Sequence, residues 1–252
     1  MLSRQSLRYE GIIEARMASS RLPGKMMMEI GGKPSLQILT ERLQRVRGLS
    51  GITVATTVNA SDDPLEDLCN KLKIGCFRGS EEDVLQRVLG AARTSGADVI
   101  VEITGDCTFL DPDIIQESID AYKKNDVDFV ANCVEKPHYP PGMDARIFAT
   151  ELLSEVDKLT DDLADREHVS LYFWEHPEHY KLLFVKPPPE YAHPEIFIAL
   201  DEKEDLDMMR KIHEILYPQN PFFPLKDILA LLKDKPQIYD MSKSVYRKGV
   251  HE

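Results

Sequence analysis

Apolar residues recur along the first half of the chain in two alternating rhythms. Short β-branched runs mark strands: Ile12-Ile13, residues 52–57 (Ile-Thr-Val-Ala-Thr-Thr), residues 99–104 (Val-Ile-Val-Glu-Ile-Thr) and residues 127–131 (Val-Asp-Phe-Val-Ala). Between them the apolar positions fall three and four apart, as on one face of a helix. Leu36, Leu39, Leu43 and Val46 do so first. Leu65, Leu68, Cys69 and Leu72 follow, with Asp63 as a cap and Pro64 at the first helical position. Ser80-Glu-Glu-Asp83 has the form of a capping box and opens a helix whose Val84, Leu85, Val88, Leu89 and Ala92 face inward. Asp111-Pro112 starts another, carrying Ile114, Ile115, Ile119 and Tyr122. Strand and helix in strict alternation predict an α/β fold, a mainly parallel sheet with helices on both faces. The first strand is polar over Arg8, Tyr9, Glu10 and Gly11, and is expected to be short or frayed.

After about residue 135 the pattern loosens. Lys136-Pro-His-Tyr-Pro-Pro-Gly142 and Lys186-Pro-Pro-Pro-Glu190 read as stiff connections. Residues 165–175 suggest a helix, 182–185 a strand, 195–200 a further strand, 204–216 a helix and 228–232 the apolar part of a last one; the tail from Met241 is polar and expected to be loose. The Pro-rich stretches are too short to separate domains. Residues 1–252 are therefore expected to form one domain, with an inserted subregion at roughly 135–190.

Composition narrows the function. No run of about eighteen apolar residues is present, so a membrane span is not expected. The first ten residues lack the apolar core of a signal peptide, which makes a cytoplasmic setting the expectation. Four cysteines without Cys-x-x-Cys spacing fit free thiols, with no zinc site or disulfide framework. With 31 Lys+Arg against 43 Asp+Glu the net charge is -12, which opposes nucleic-acid binding. A polyanionic ligand would need a local exception to that charge, helped by a divalent metal.

One stretch is such an exception. Residues 15–25 read Ala-Arg-Met-Ala-Ser-Ser-Arg-Leu-Pro-Gly-Lys, and within them lie Arg16, Arg21 and Lys25, the hydroxyls of Ser19 and Ser20, and a Pro-Gly turn. Cations and turning backbone N–H groups suit a triphosphate, although the pattern is not the Walker A loop. The loop, Thr56-Thr57 and Gly105-Asp106 all follow strand-like runs, and parallel sheets bind ligands beyond the carboxyl ends of their strands. Asp106, preceded by Gly105, is placed to hold Mg²⁺ against phosphates, and Asp201 repeats the arrangement after residues 195–200. Read alone, Asp106 is more often a turn residue and the acids near Asp201 are usually a helix N-terminus. Met26-Met-Met28 reads as core packing.

Arg16-Met-Ala-Ser-Ser-Arg-Leu-Pro-Gly-Lys25 closely resembles the signature loop of the sugar cytidylyltransferases, the enzymes that make CMP-sialic acid and CMP-Kdo and especially the spore-coat polysaccharide SpsF-like branch. Five further blocks follow in that family's order: Arg78-Gly-Ser-Glu-Glu-Asp-Val-Leu85 with Arg87, Thr104-Gly-Asp-Cys-Thr108, Pro141-Gly-Met-Asp144, Arg166-Glu-His-Val169 and Leu200-Asp-Glu-Lys-Glu-Asp205. Thr108 stands where the family has Pro, which could alter the loop behind Asp106. The resemblance implies a glycosyltransferase-A-like (Rossmann-like) fold and transfer of CMP from CTP to a sugar hydroxyl with release of pyrophosphate. It also implies Mg²⁺ as cofactor and a homodimer. By the same resemblance Ala15, Arg16, Ser19, Ser20, Arg21 and Lys25 would take the triphosphate, with Arg78, Ser80 and Asp83 near the nucleotide. Asp106 and Asp201 would hold Mg²⁺, and Asp144, Arg166, Glu167 and His168 would face the acceptor sugar. For His168 a packing role in its helix is the equal alternative. Two other readings stay open: a sugar-1-phosphate nucleotidyltransferase using GTP or UTP, and an inactive nucleotide-binding module. A glycosyltransferase would be expected to show an Asp-x-Asp motif, which is not found around Asp106.

Overall fold

The computed structural model describes residues 4–134, 136 and 138–247. Residues 1–3, Glu135 at the start of the expected insertion, Pro137 in the Pro-rich turn and residues 248–252 of the polar tail lie outside the described residues.

Strand β1 (Tyr9–Glu14) is not frayed; it lies inside the main sheet, paired on both sides. Besides a two-stranded hairpin of β2 (Glu29–Ile30) and β3 (Lys33–Pro34), the chain forms β4 (Gly51–Thr57), β5 (Gly75–Gly79), β6 (Val99–Thr104), β7 (Phe129–Ala131), β8 (Arg146–Ala149) and β9 (Leu182–Phe184). The seven-stranded sheet has the order β5-β4-β1-β6-β8-β7-β9. Pairing is parallel from β5 to β6 and again between β7 and β9, while β8 runs antiparallel to both of its neighbours. The polar first strand survives in the middle because its polar groups are matched. Glu10 accepts from Thr53 Oγ1 at 2.9 Å and from the Arg8 guanidinium at 3.0 Å. Buried polar groups are tolerated only when paired in this way.

Helices cover both faces. Helices α1 (Ser35–Leu43), α2 (Asp63–Leu72) and α4 (Pro112–Lys124) pack Leu39, Leu68 and Ile119 on the face that carries Tyr9, Ile13 and Val101. Helix α3 (Val84–Ser95), α5 (Thr150–Leu159) and α7 (Leu171–Glu175) cover the other face, where Leu89, Val156 and Phe173 meet Ile12, Ile100 and Phe148. A third apolar cluster unites α8 (Lys203–Leu216), α9 (Leu225–Asp234) and α10 (Pro236–Tyr239) with Ile30, Phe109, Ile198 and Leu200.

Several expectations are corrected. Residues 165–175 are two short helices, α6 (Leu163–Glu167) and α7, separated at Val169, whose φ of 44° a β-branched residue rarely adopts and a continuous helix cannot contain. Residues 195–200 make no strand; they meet neighbouring loops through single bonds, Ile198 N–H to Pro141 O and Leu200 N–H to Asp106 O. Asp63 is inside α2 rather than its cap, and α3 is capped by Asp83, whose carboxylate accepts from Gln86 N–H, rather than by Ser80. The tail from Met241 to Arg247 is anchored at Ser242, which is buried with its hydroxyl 3.2 Å from Met208 Sδ, while Met241 and Tyr246 stay exposed. The stretch expected as an insertion contributes β8 and β9 to the main sheet and α5 to its cover.

Candidate active site

At the carboxyl end of β1 the chain leaves the sheet in a loop that is fastened at both ends. Ala15 N–H donates to Ala55 O at the end of β4, and Met17 N–H donates to the Asp62 carboxylate at 2.8 Å. That carboxylate also accepts from Thr56 Oγ1 (2.9 Å), Thr57 N–H (3.1 Å) and Thr57 Oγ1 (2.6 Å). Burial alone would raise its pKa, but the hydrogen bonds from Thr57, Met17 and Thr56 outweigh it and hold the group below the ordinary carboxylate range. At the far end Gly24 turns with φ 77°, a left-handed conformation that suits glycine, and returns its N–H to Met17 O. Ser35 Oγ, at the first residue of α1, donates to Lys25 O at 2.6 Å. Met26 behind the loop is core, as its sequence context suggested.

The loop presents its cations to two acids that come from far downstream. Lys25 Nζ is 2.8 Å from Asp201 and 3.9 Å from Asp106, and Arg21 reaches Asp201 at 3.0 Å. Asp106 follows β6 through Gly105, where a Cβ would stand 2.8 Å from both Glu14 O and Met26 Sδ, so only glycine lets the turn lie this close to β1. Leu200 N–H donates to Asp106 O at 2.9 Å and thereby sets Asp201 beside Asp106. Thr108, in place of proline, uses its N–H to bond Asp106 O at 2.8 Å, a contact proline could not make; its buried hydroxyl has no partner among the described residues.

These groups line a cleft of about 580 Å³. Of the residues singled out in the sequence, Ala15, Arg16, Ser19, Ser20, Arg21, Lys25, Asp106, Glu167, His168 and Asp201 line it. The others lie behind or beside it. Arg78 is spent on Asp63 and Glu66 (2.7 Å each) and on the carbonyls of Thr57 and Asn59, so it braces the end of β4. Ser80 Oγ accepts from Asp83 N–H, and Asp83 pairs with Arg166, which also holds Asp157 at 2.9 Å. That contact ties α6 to the start of α3. Asp144 is removed from the cleft wall, and burial above all pushes its pKa up to about 6.

Four contributors were not weighed for the site. Arg87 of α3 is buried and lines the cleft while its guanidinium donates to Ala55 O and to the Ser80 and Glu81 carbonyls. Glu14 lines the floor, and burial together with the neighbouring Glu102 raises its pKa well above the carboxylate range. Arg247, from the tail, forms part of the wall. Asp62 fixes the loop without reaching the cleft. Only Arg87 had a signal in the sequence, its place in the second motif block.

Among the described residues no group of three or more His, Cys, Asp and Glu stands together as a metal cage. The pair Asp106 and Asp201 fits a different demand. Two carboxylates sharing one ammonium form a small acidic site at the mouth of a cationic loop, and Mg²⁺ is usually held by one or two carboxylates plus phosphate oxygens and water.

Residues 11–248 match the family model described as cytidylyltransferase. An "uncharacterized protein" of Methanocaldococcus jannaschii is 31% identical over 242 residues, 96% of this chain and 97% of that one. The spore coat polysaccharide biosynthesis protein SpsF of Bacillus subtilis is 30% identical over 233 residues, covering 89% and 94%. Among solved structures, a cytidylyltransferase from Leptospira borgpetersenii superposes with a TM-score of 0.87 at 31% identity, over 96% of this chain and all of that one.

Proposed function

The chain belongs to the cytidylyltransferase family, and we propose that it moves CMP from CTP to a hydroxyl of an acidic or modified sugar, releasing pyrophosphate, for polysaccharide or glycan synthesis. The observation that carries this reading is Lys25 standing between Asp106 and Asp201 at the end of the Arg16–Lys25 loop. The site thus offers fixed cations for a triphosphate and fixed acids for its metal, on one wall of one cleft.

Transfer of this kind asks little covalent chemistry of the protein. An acceptor oxygen attacks the α-phosphorus in line, the bond to the β-phosphate oxygen breaks, and negative charge grows on the leaving pyrophosphate. Positioning and electrostatic stabilisation dominate. Arg16, Arg21 and Lys25 take the triphosphate and offset the charge on the leaving group; a preorganised donor in such a role supplies ~3 kcal/mol. Asp106 and Asp201 would hold Mg²⁺. When bound, the ion neutralises phosphate charge and lowers the pKa of the acceptor hydroxyl. Arg87 and the Asp62 clip keep the loop and the end of β4 in fixed register, so the cations need little rearrangement when the nucleotide arrives. Glu167 and His168, which line the same cleft, are assigned to the acceptor.

The test is pyrophosphate release across CTP, UTP, GTP and ATP with a panel of acidic and neutral sugars, with Mg²⁺ and with chelator. Turnover confined to CTP and abolished by chelation is the expected result. Release with UTP or GTP on sugar 1-phosphates would replace the acceptor and nucleotide assignment, and nucleotide binding without turnover would point to an inactive module. A cytoplasmic homodimer belongs to the same proposal. Supporting the dimer, Leu159 and Leu163 stand 62% and 83% exposed within the 135–190 subregion; no helix among the described residues is long and apolar enough to cross a membrane. Light scattering at the mass of one chain would rule out the dimer.

A further inference from the structure

The tail does more than pack. Asp205, in the first turn of α8, is wholly buried, and its carboxylate is the hub of four hydrogen bonds. Oδ2 accepts from Asp201 N–H at 3.0 Å and Glu202 N–H at 2.8 Å, and so holds the backbone that carries the Asp201 carboxylate. The remaining two bonds come from Arg247, at 2.8 Å to Oδ2 and 2.6 Å to Oδ1. The same guanidinium lies over the Phe197 ring at 3.8 Å, and both residues face the cleft. A buried carboxylate needs a fixed counter-charge, and a forked pair stacked on an aromatic ring is the arrangement arginine alone can make.

We propose that Arg247 is a positioning residue for Asp201. The carboxyl-terminal segment is a strap whose last described side chain supplies the charge that lets Asp205 hold Asp201 against Lys25 and Arg21. The strap lies on the same side of the cleft: Ser244, Val245 and Tyr246 share an outer groove with Arg21, Glu202 and Glu204. The chain thus closes its acid site with a residue 46 positions beyond the acid it sets, outside every motif block (247 minus 201). The inference rests on the proposed transfer reaction in its choice of assay, and on geometry in its substance.

The experiment uses the full chain and compares wild type with Arg247→Ala, Arg247→Lys, Asp205→Asn and Arg247→Ala/Asp205→Asn. Residues that orient metal-holding carboxylates typically alter metal affinity or activity by ~10–100-fold. Arg247→Ala is expected to raise the Mg²⁺ concentration for half-maximal pyrophosphate release and to lower kcat, each by about tenfold or more. CTP binding in chelator, measured by calorimetry, is expected to change less than about threefold, because the cationic loop is intact. Arg247→Lys keeps the charge but loses the fork, and falls between. The double variant removes the charge that Arg247 balances, and its effect is expected to be far smaller than the sum of the single ones. Wild-type Mg²⁺ dependence in Arg247→Ala, or strict additivity in the double variant, would overturn the proposal. If Arg247→Ala fails to fold, Arg247→Lys carries the same comparison. Should the wild type itself release no pyrophosphate, the transfer reading falls, and Mg²⁺-dependent tightening of CTP binding in the same variants decides the role of Arg247.

Discussion

Two cavities of similar size open at opposite ends of the same parallel strands. The cleft described above lies beyond their carboxyl ends. The other, of about 490 Å³, lies at their amino ends among Arg8, Glu10, Ser50, Thr53, Lys73 and Cys76. Volume does not separate them. What differs is how the polar groups are spent. At the amino end Glu10 is 2% exposed and already bonded to Thr53 and Arg8. At the carboxyl end Lys25 and Arg21 share Asp201 and Lys25 also reaches toward Asp106, cations and acids held side by side on loops that converge from three parts of the chain. A structural polar group bonds back into its own frame. The charges at the carboxyl end pair with one another instead, at the wall of a cleft that a ligand can reach.

Substitutions can sharpen that contrast. The largest effect is expected from Asp106→Asn, which should reduce pyrophosphate release by ~100-fold or more while leaving the melting temperature within a few degrees, as loss of a preorganised charge does. Glu10→Gln, at the other end of the strands, should leave turnover within about twofold and lower the melting temperature instead, since it disturbs a buried hydrogen-bonded pair. Steady-state kinetics and thermal melts on the two proteins check both.

Next comes Asp62→Asn, which keeps an acceptor for Met17 but loses one for the threonines. Because the loop is held in register from this point, KM for CTP is expected to rise by about tenfold, with a smaller change in kcat. Equal losses in both would show that the residue acts on the chemical step.

The smallest effect is on pH dependence, where two carboxylates act with opposite sign. Asp62 is held below its ordinary pKa, so its contribution to stability is present above about pH 4 and is lost as pH falls through its folded value. Asp144 is raised to about 6, so its contribution is complete below about pH 4 and is lost as pH rises through 6. Asp144→Asn should therefore raise the melting temperature at pH 8 relative to wild type, by about 3 °C, and have little effect at pH 4. Thermal melts across pH 4 to 8 would show the wrong sign if the group were instead stabilised in its charged form.

Much of this was legible where local and global preferences agree. Val99–Thr104 is β-branched, central and buried, and its bounds are those read from the residues. The loop of residues 15–25 declared itself by charge. The polar first strand was misread because Thr53, which matches Glu10, is a tertiary partner that no window around Glu10 contains, and without it Arg8 reads as one more polar residue. Residues 195–200 have strand-like composition, yet they lie where loops converge on Asp106 and Pro141, and two isolated bonds satisfy them without a ladder. Strand β8 went unread because four residues sandwiched between β6 and β7 need no alternation of polar and apolar faces. Asp62 and Arg247 are the sharpest omissions. Each looks like an ordinary surface charge beside its sequence neighbours, and each acquires its role only by reaching a segment more than forty positions away.

The ammonium of Lys25 has a consequence for the order of events. Lys25 lies 2.8 Å from Asp201 and 3.9 Å from Asp106, so a divalent ion arriving alone would compete with a tethered rival that never diffuses away. Under the proposed reaction a polyphosphate would give Lys25 a better partner and draw it off. The lysine would then serve as an interlock, uncovering the acids when a nucleotide is there to use them and covering them against stray cations at other times.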